Sequence, residues 1–95
     1  MNKKQAYEEK IAAQLKEWDA KIDVLKAKAE KTEAAAKADY YETIEDLQKK
    51  RGAAKENLQA LSRASDDAWE DLKQGVESAW SNLGAAITAA ISRFE

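Results

Sequence analysis

Two short segments, residues 68–72 (AWEDL) and 79–83 (AWSNL), repeat one pattern at a distance of eleven residues. Eleven residues make three turns of a helix with about 3.67 residues per turn. The pattern continues on both sides of these segments, where apolar side chains recur at the same two helical positions. The two series are Leu58, Trp69, Trp80, Ile91 and Leu61, Leu72, Leu83, Phe94. This spacing predicts a helix with a continuous apolar stripe.

The apolar stripe extends toward the N-terminus as far as Ile11, in steps of three or four residues. From Leu15 to Ala36 and from Ile44 to Ser65 the steps alternate, which is the heptad pattern of coiled coils. Proline is absent and there are only three glycines. We therefore predict an all-α fold of long amphipathic helices that form a coiled coil or a helical bundle. It is one unit over residues 1–95, heptad-like at about 11–65 and eleven-residue-repeating at about 58–94.

Two places in the sequence could interrupt the helix. Residues 49–52 (KKRG) place cations before a glycine, which is a signal for a helix end. Residues 65–70 (SDDAWE) offer a cap residue, early acids and a capping-box spacing, and they are the better restart. The apolar stripe keeps its phase through both places, so one continuous helix and a helical hairpin remain open alternatives.

Burial of the stripe decides how the chain must associate. A single helix of 95 residues would be about 140 Å long and could not cover its own stripe. Either the chain folds back on itself, or chains pair, or both occur. We expect a homo-oligomer, at least a dimer at micromolar concentration. The predicted self-association face consists of Leu15, Trp18, Ile22, Leu25, Ile44, Leu47, Leu58, Leu61, Trp69, Leu72, Val76, Trp80, Leu83, Ile87, Ile91 and Phe94.

Arg51 is the one cation on this stripe. It is interpreted either as a residue that specifies register or partner, or as an arginine whose stem packs while its head reaches water. The tryptophans on the stripe are expected to be shielded, because large aromatic side chains bury the most area.

The side chains of most catalytic sites are missing. The chain has no histidine and no cysteine, and it contains no phosphate-binding loop or nucleophile elbow. Adjacent acids such as Glu8–Glu9 and Asp66–Asp67 point about 100° apart on a helix and make a poor cage for a hard cation. We predict a non-enzymatic protein with no catalytic, cofactor-binding or metal-binding residues.

The charge distribution argues against a nucleic-acid partner. Residues 1–64 carry a net charge of +2 and residues 65–95 carry −4, so neither part offers a strongly basic surface. The N-terminus has no apolar signal core, and no apolar run approaches the roughly 20 residues that span a bilayer. A cytoplasmic location is the expectation.

A peripheral lipid-surface protein is the alternative. The repeats, the tryptophans and the low-charge residues 84–91 resemble lipid-surface helices of the apolipoprotein and late-embryogenesis-abundant type. Such helices usually carry basic polar faces, whereas this part of the chain is acidic. Binding to a membrane surface is therefore not favoured.

Three blocks of sequence carry a further resemblance: residues 14–23 (QLKEWDAKID), 40–47 (YYETIEDL) and 68–73 (AWEDLK). They resemble a family of small bacterial coiled-coil proteins, mostly uncharacterised and sometimes labelled stress-response proteins. The resemblance covers nearly the whole chain and implies a bacterial cytosolic helical protein without known catalysis. It transfers no site residues. A stress-associated scaffold or holdase-like role is the function that it suggests.

Overall fold

The computed structural model describes residues 2–94, which form three helices and, within that range, no strand. The helices are α1 (Lys3–Glu30), α2 (Ala34–Arg63) and α3 (Trp69–Arg93). Each runs antiparallel to the next, so α1 and α3 are parallel, and the molecule measures 51 × 19 × 18 Å. The prediction of an all-α fold is confirmed. The number of helices is three, not one or two.

The first interruption, at residues 31–33, has no counterpart among the predicted breaks. Lys31 and Thr32 donate their amides to carbonyls three residues back, and Glu33 is extended. The Oγ1 atom of Thr32 donates to the carbonyl of Lys28 at 2.7 Å, which closes the last turn of α1. No glycine or proline is present in this turn. We infer that packing of the stripe between helices, and not a local turn signal, stabilises the break.

The second interruption, at residues 64–68, confirms the predicted restart but not its predicted cap. Ser65 Oγ accepts the amide of Ala68 at 3.2 Å, and the Ser65 carbonyl accepts the amide of Trp69. The predicted capping box between Asp67 and Glu70 is not formed, since α3 begins two residues after Asp67. The helix end that residues 49–52 predict is absent, because Gly52 lies within α2.

Polar groups complete two helix ends. Asn2 Oδ1 accepts the amide of Gln5 at 2.8 Å, and Gln5 Oε1 accepts the amide of Asn2 at 3.3 Å, which is a capping box at the start of α1. Lys4 Nζ donates to the carbonyls of Ser62 and Ala64, at 3.2 and 2.6 Å, at the end of α2. The start of α1 therefore satisfies carbonyls that α2 leaves unpaired.

The core is the apolar stripe folded against itself. Its buried side chains are Ile11, Leu15, Trp18, Ile22, Leu25, Ala29, Ile44, Leu47, Ala54, Leu61, Trp69, Val76, Trp80, Leu83, Ile87 and Ala90. All three helices contribute to this single cluster. Burial of the stripe therefore does not require a second chain.

Aromatic side chains join the first and last helices. The rings of Tyr7 and Trp69 lie 5.8 Å apart between centroids, and those of Trp18 and Trp80 lie 6.3 Å apart. A Cβ atom at Gly84 would lie only 2.9 Å from Cζ2 of Trp18, so this glycine makes room for the indole. The tryptophans pack between α1 and α3, whose parallel direction follows from the two antiparallel connections.

Candidate association surface

The sixteen residues predicted to form a self-association face lie mainly in the core of one chain. Twelve are buried: Leu15, Trp18, Ile22, Leu25, Ile44, Leu47, Leu61, Trp69, Val76, Trp80, Leu83 and Ile87. Leu58, Ile91 and Phe94 are half-buried and pack against that core. The surface of the molecule must therefore supply any contact with a partner.

Leu72 departs from the eleven-residue pattern. Its side chain is 39% exposed, whereas Leu83, one repeat later, is completely buried. Leu72 lies in the first turn of α3. The eleven-residue spacing alone does not predict this difference in exposure.

Arg51 binds Asp19 across the interface between α1 and α2. Its Nε atom donates to Oδ1 of Asp19 and its Nη2 atom to Oδ2, the latter at 2.9 Å. The hydrogen bond to Asp19 raises the pKa of Arg51 above its usual value. Both side chains are about one-third exposed. The guanidinium of Arg51 therefore contacts both the carboxylate of Asp19 and water. The contact joins α1 to α2 within one chain, and we interpret it as a contribution to their register.

Two concavities are grooves between neighbouring helices. One of about 350 Å³ between α1 and α2 is lined chiefly by polar and charged groups, including those of Asp19, Asp23 and Arg51. One of about 470 Å³ between α2 and α3 is lined by Glu42 and Asp46 of α2 and by Arg93 and small side chains of α3. Among residues 2–94, no three acidic side chains come together as a metal site would require.

An aromatic and charged cluster lies at the start of α3. Lys73 Nζ sits 5.1 Å from the ring centroid of Tyr7 and 5.7 Å from that of Trp69, which are cation–π distances. Burial and the nearby carboxylate of Glu77 raise the pKa of Tyr7 above 10. These groups are partnered with one another, and we interpret the cluster as a contact between α1 and α3.

The surface that differs most from the rest is the outer side of α3. From Ser78 to Ser92 there are fifteen residues without a charge, whereas the longest uncharged run elsewhere has six, Asn57–Ser62. The outward side chains of this stretch are all exposed, small or medium-sized, and electrically neutral. We call the following set the neutral face: Ser78, Ser81, Asn82, Ala85, Thr88, Ala89 and Ser92.

The neutral face was not among the residues predicted from the stripe, although residues 84–91 were noted for their low charge. Its signal in the sequence is the gap in charged residues between Glu77 and Arg93. Gly84 and Lys73 were also missed, because their roles depend on which side chains of α1 lie opposite α3. No short-range spacing could reveal that alignment.

Within residues 2–94, none of the three helices combines the length and the apolar character needed to cross a bilayer. No protein-family model, curated protein or solved structure was found to match this chain. The resemblance to small bacterial coiled-coil proteins therefore stays a prediction.

Proposed function

We propose that this chain is a non-enzymatic interaction protein of the bacterial cytoplasm that self-associates and serves as a stress-associated scaffold or holdase-like protein. The observation that carries the proposal is the exposed neutral face, in a chain of which 36% of residues are charged. Charged residues are depleted at the centres of protein interfaces, because each charge would have to lose its water. The outer side of α3 is the longest surface of this molecule that avoids that cost.

The remaining surface supports an interaction role in a different way. On α1 and α2, charged side chains of both signs are interspersed along the exposed positions, and these helices keep the molecule hydrated. Exposed large apolar side chains are few and separate: Val24, Tyr41 and Leu72. Association is therefore expected to use α3 and to leave most of the bundle surface in water.

The alternative function is binding to a lipid surface. It is supported by the composition of α3, whose core side is apolar and whose outer side lacks charge over fifteen residues. The tryptophans that would anchor it are buried, with Trp18, Trp69 and Trp80 at most 8% exposed. Lipid binding would first have to separate α3 from α1 and α2, and we therefore rank it second.

Sedimentation velocity from micromolar to millimolar concentration tests self-association. We expect mass to increase with concentration for the natural chain and for Ala53→Lys, whose position is exposed on α2. Ala85→Lys on the neutral face should remain monomeric, because the added charge must be dehydrated on association. A natural chain that is monomeric at micromolar concentration would refute the predicted dimer at that concentration, and one that stays monomeric up to millimolar concentration would contradict self-association altogether.

Two further assays separate the roles. Suppression of the heat-induced aggregation of an unrelated protein would support a holdase-like role, with Ala85→Lys expected to be weaker than Ala53→Lys. Flotation with neutral and anionic vesicles tests the alternative. Recovery of the protein with vesicles, together with a blue shift of tryptophan emission that occurs only with lipid, would favour lipid binding over self-association as the function.

A further inference from the structure

The neutral face has a centre, and its flanks are charged with opposite signs. Ala85 points directly away from the core, opposite Val76 and Ile87 on the same helix. Glu77 lies eight residues before Ala85 and Arg93 lies eight residues after it. The uncharged stretch therefore ends at equal distances from Ala85, with an acid at one end and a base at the other.

The side chains between these charges are also balanced about Ala85. Ser78 and Ser92 lie seven residues away, and Ser81 and Ala89 lie four residues away. At about 100° per residue, all four project within about 40° of Ala85. Their small size allows another helix to approach closely along the full length of the uncharged stretch.

We propose that a second copy of this chain docks here, with the two α3 helices antiparallel and related by a two-fold axis at Ala85. This inference rests on the proposed self-association and specifies its surface and direction. In that arrangement, Glu77 of each copy lies at the same level as Arg93 of the other. Glu77 and Arg93 project about 80° to either side of Ala85, so these charges face each other across the width of the contact. In a parallel arrangement, glutamate would lie level with glutamate and arginine with arginine, so charge complementarity favours the antiparallel pair.

The charges on both flanks remain available for this contact. Glu77 is exposed. The side chain of Arg93 is 58% exposed, and its ion pair with Asp39 is long, at 3.8 Å. Its guanidinium also lies 5.2 Å from the ring centroid of Phe94 and can keep that contact while it faces a partner. The contact spans about 22 Å of helix, which is short for a permanent interface. The pair is therefore expected to exchange rapidly and to weaken as salt is added.

Cysteine cross-linking tests the position of the axis, because the natural chain contains no cysteine. Ala85→Cys should form a disulfide-linked dimer at least tenfold faster than Ala53→Cys on α2 or Ala20→Cys on α1, all three being exposed sites. Equal rates at the three sites would overturn the proposal. If equal rates accompany self-association in sedimentation, only the proposed surface fails, and self-association itself stands.

The direction of the pair is tested with Ser78→Cys and Ser92→Cys. In the antiparallel arrangement, two copies of residue 78 lie about 21 Å apart, well beyond the Cα separation of about 7 Å that a disulfide tolerates. Each variant alone should therefore cross-link slowly, and their mixture should give the mixed dimer quickly. Fast cross-linking of either variant alone would indicate a parallel pair and overturn the proposal.

Charge reversal provides an independent test. Glu77→Arg and Arg93→Glu should each self-associate at least threefold more weakly than the natural chain, since each places like charges at the same level. Mixing the two variants should restore association as a heterodimer, because opposite charges then lie at the same level at both ends. Glu56→Arg and Arg63→Glu on α2 are the matched controls, and restoration by mixing is not expected for them. Failure of the mixture to restore association would overturn the antiparallel pair.

Discussion

At the scale of single residues, the same amino acid has different roles according to what faces it. Gly52 and Gly84 both lie within helices. A Cβ atom at Gly52 would meet no other atom within 4 Å, whereas at Gly84 it would meet the indole of Trp18 at 2.9 Å. Helix propensity favours alanine over glycine at both positions. Only at Gly84 does packing against Trp18 disfavour the added methyl group.

The two glycines give a matched prediction for stability. Gly52→Ala should raise the free energy of unfolding by about 0.5–1 kcal/mol, because glycine is a poor residue within a helix. Gly84→Ala should lower it by about 1 kcal/mol, because the overpacking of Trp18 exceeds the gain in propensity. Urea denaturation of the two variants beside the natural chain measures both values. A stabilised Gly84→Ala protein would show that Trp18 moves aside without cost.

Two leucines one repeat apart give a second matched prediction. Leu83→Asp should cost about 4 kcal/mol or more, since it places an unpaired carboxylate in the core. Leu72→Asp should cost about 1 kcal/mol or less, because its side chain already reaches water. Thermal unfolding followed by circular dichroism compares them. Equal losses at the two positions would mean that Leu72 is covered, either within the chain or by a partner.

At the scale of elements, the sequence predicts the type of secondary structure better than the number of helices. The absence of proline and the stripe with helical spacing sufficed to predict helices. The end of α1 could not be predicted, because Ala29, Thr32 and Ala36 continue the stripe across the break. The restart near Ser65 could be predicted, because its hydroxyl and the acids that follow are local signals.

The pairing of elements could not be read from spacing either. The sequence leaves open whether the stripe folds back on itself, meets another chain, or does both, because in one continuous helix it has no partner. Three helices of similar length solve that problem within the chain, since each buries its stripe against the other two. The neutral face can be identified only once the structure shows which side chains of α3 are buried in the core.

The pair of α1 with α2 offers a prediction at this scale. A double-mutant cycle of Asp19→Asn and Arg51→Met should give a coupling of about 0.5–1 kcal/mol, the value typical of well-formed but solvent-screened pairs. The coupling should fall as salt is added. The matched pair is Glu45 with Lys49, more exposed and 3.5 Å apart within α2, for which a smaller coupling is expected. Zero coupling for Asp19 and Arg51 would refute a register role.

At the scale of the whole molecule, α3 completes a core that the first two helices cannot close alone. Trp18 on α1 packs against Trp80 and Gly84, which both belong to α3. Without α3, this indole and the adjoining faces of α1 and α2 would be exposed to water. The stability of the chain therefore depends on all three helices together.

A truncated chain tests this dependence. A fragment of residues 1–64 should lack a cooperative thermal transition and should show the red-shifted emission of a water-exposed indole, because Trp18 is its only tryptophan. The full-length variant in which Trp69 and Trp80 are replaced by phenylalanine is the control and should keep blue-shifted emission. A fragment that unfolds cooperatively would show that α1 and α2 form a stable unit by themselves.

The parallel alignment of α1 and α3 also bears on how the chain folds. Two of the three helix interfaces join neighbours in sequence and close short loops, which favours rapid folding. The aromatic pairs Tyr7–Trp69 and Trp18–Trp80 instead each join residues 62 positions apart. All three tryptophans of the molecule therefore lie at its longest-range interface. Tryptophan fluorescence during folding therefore reports the docking of α3 against α1, whereas circular dichroism reports the formation of the helices.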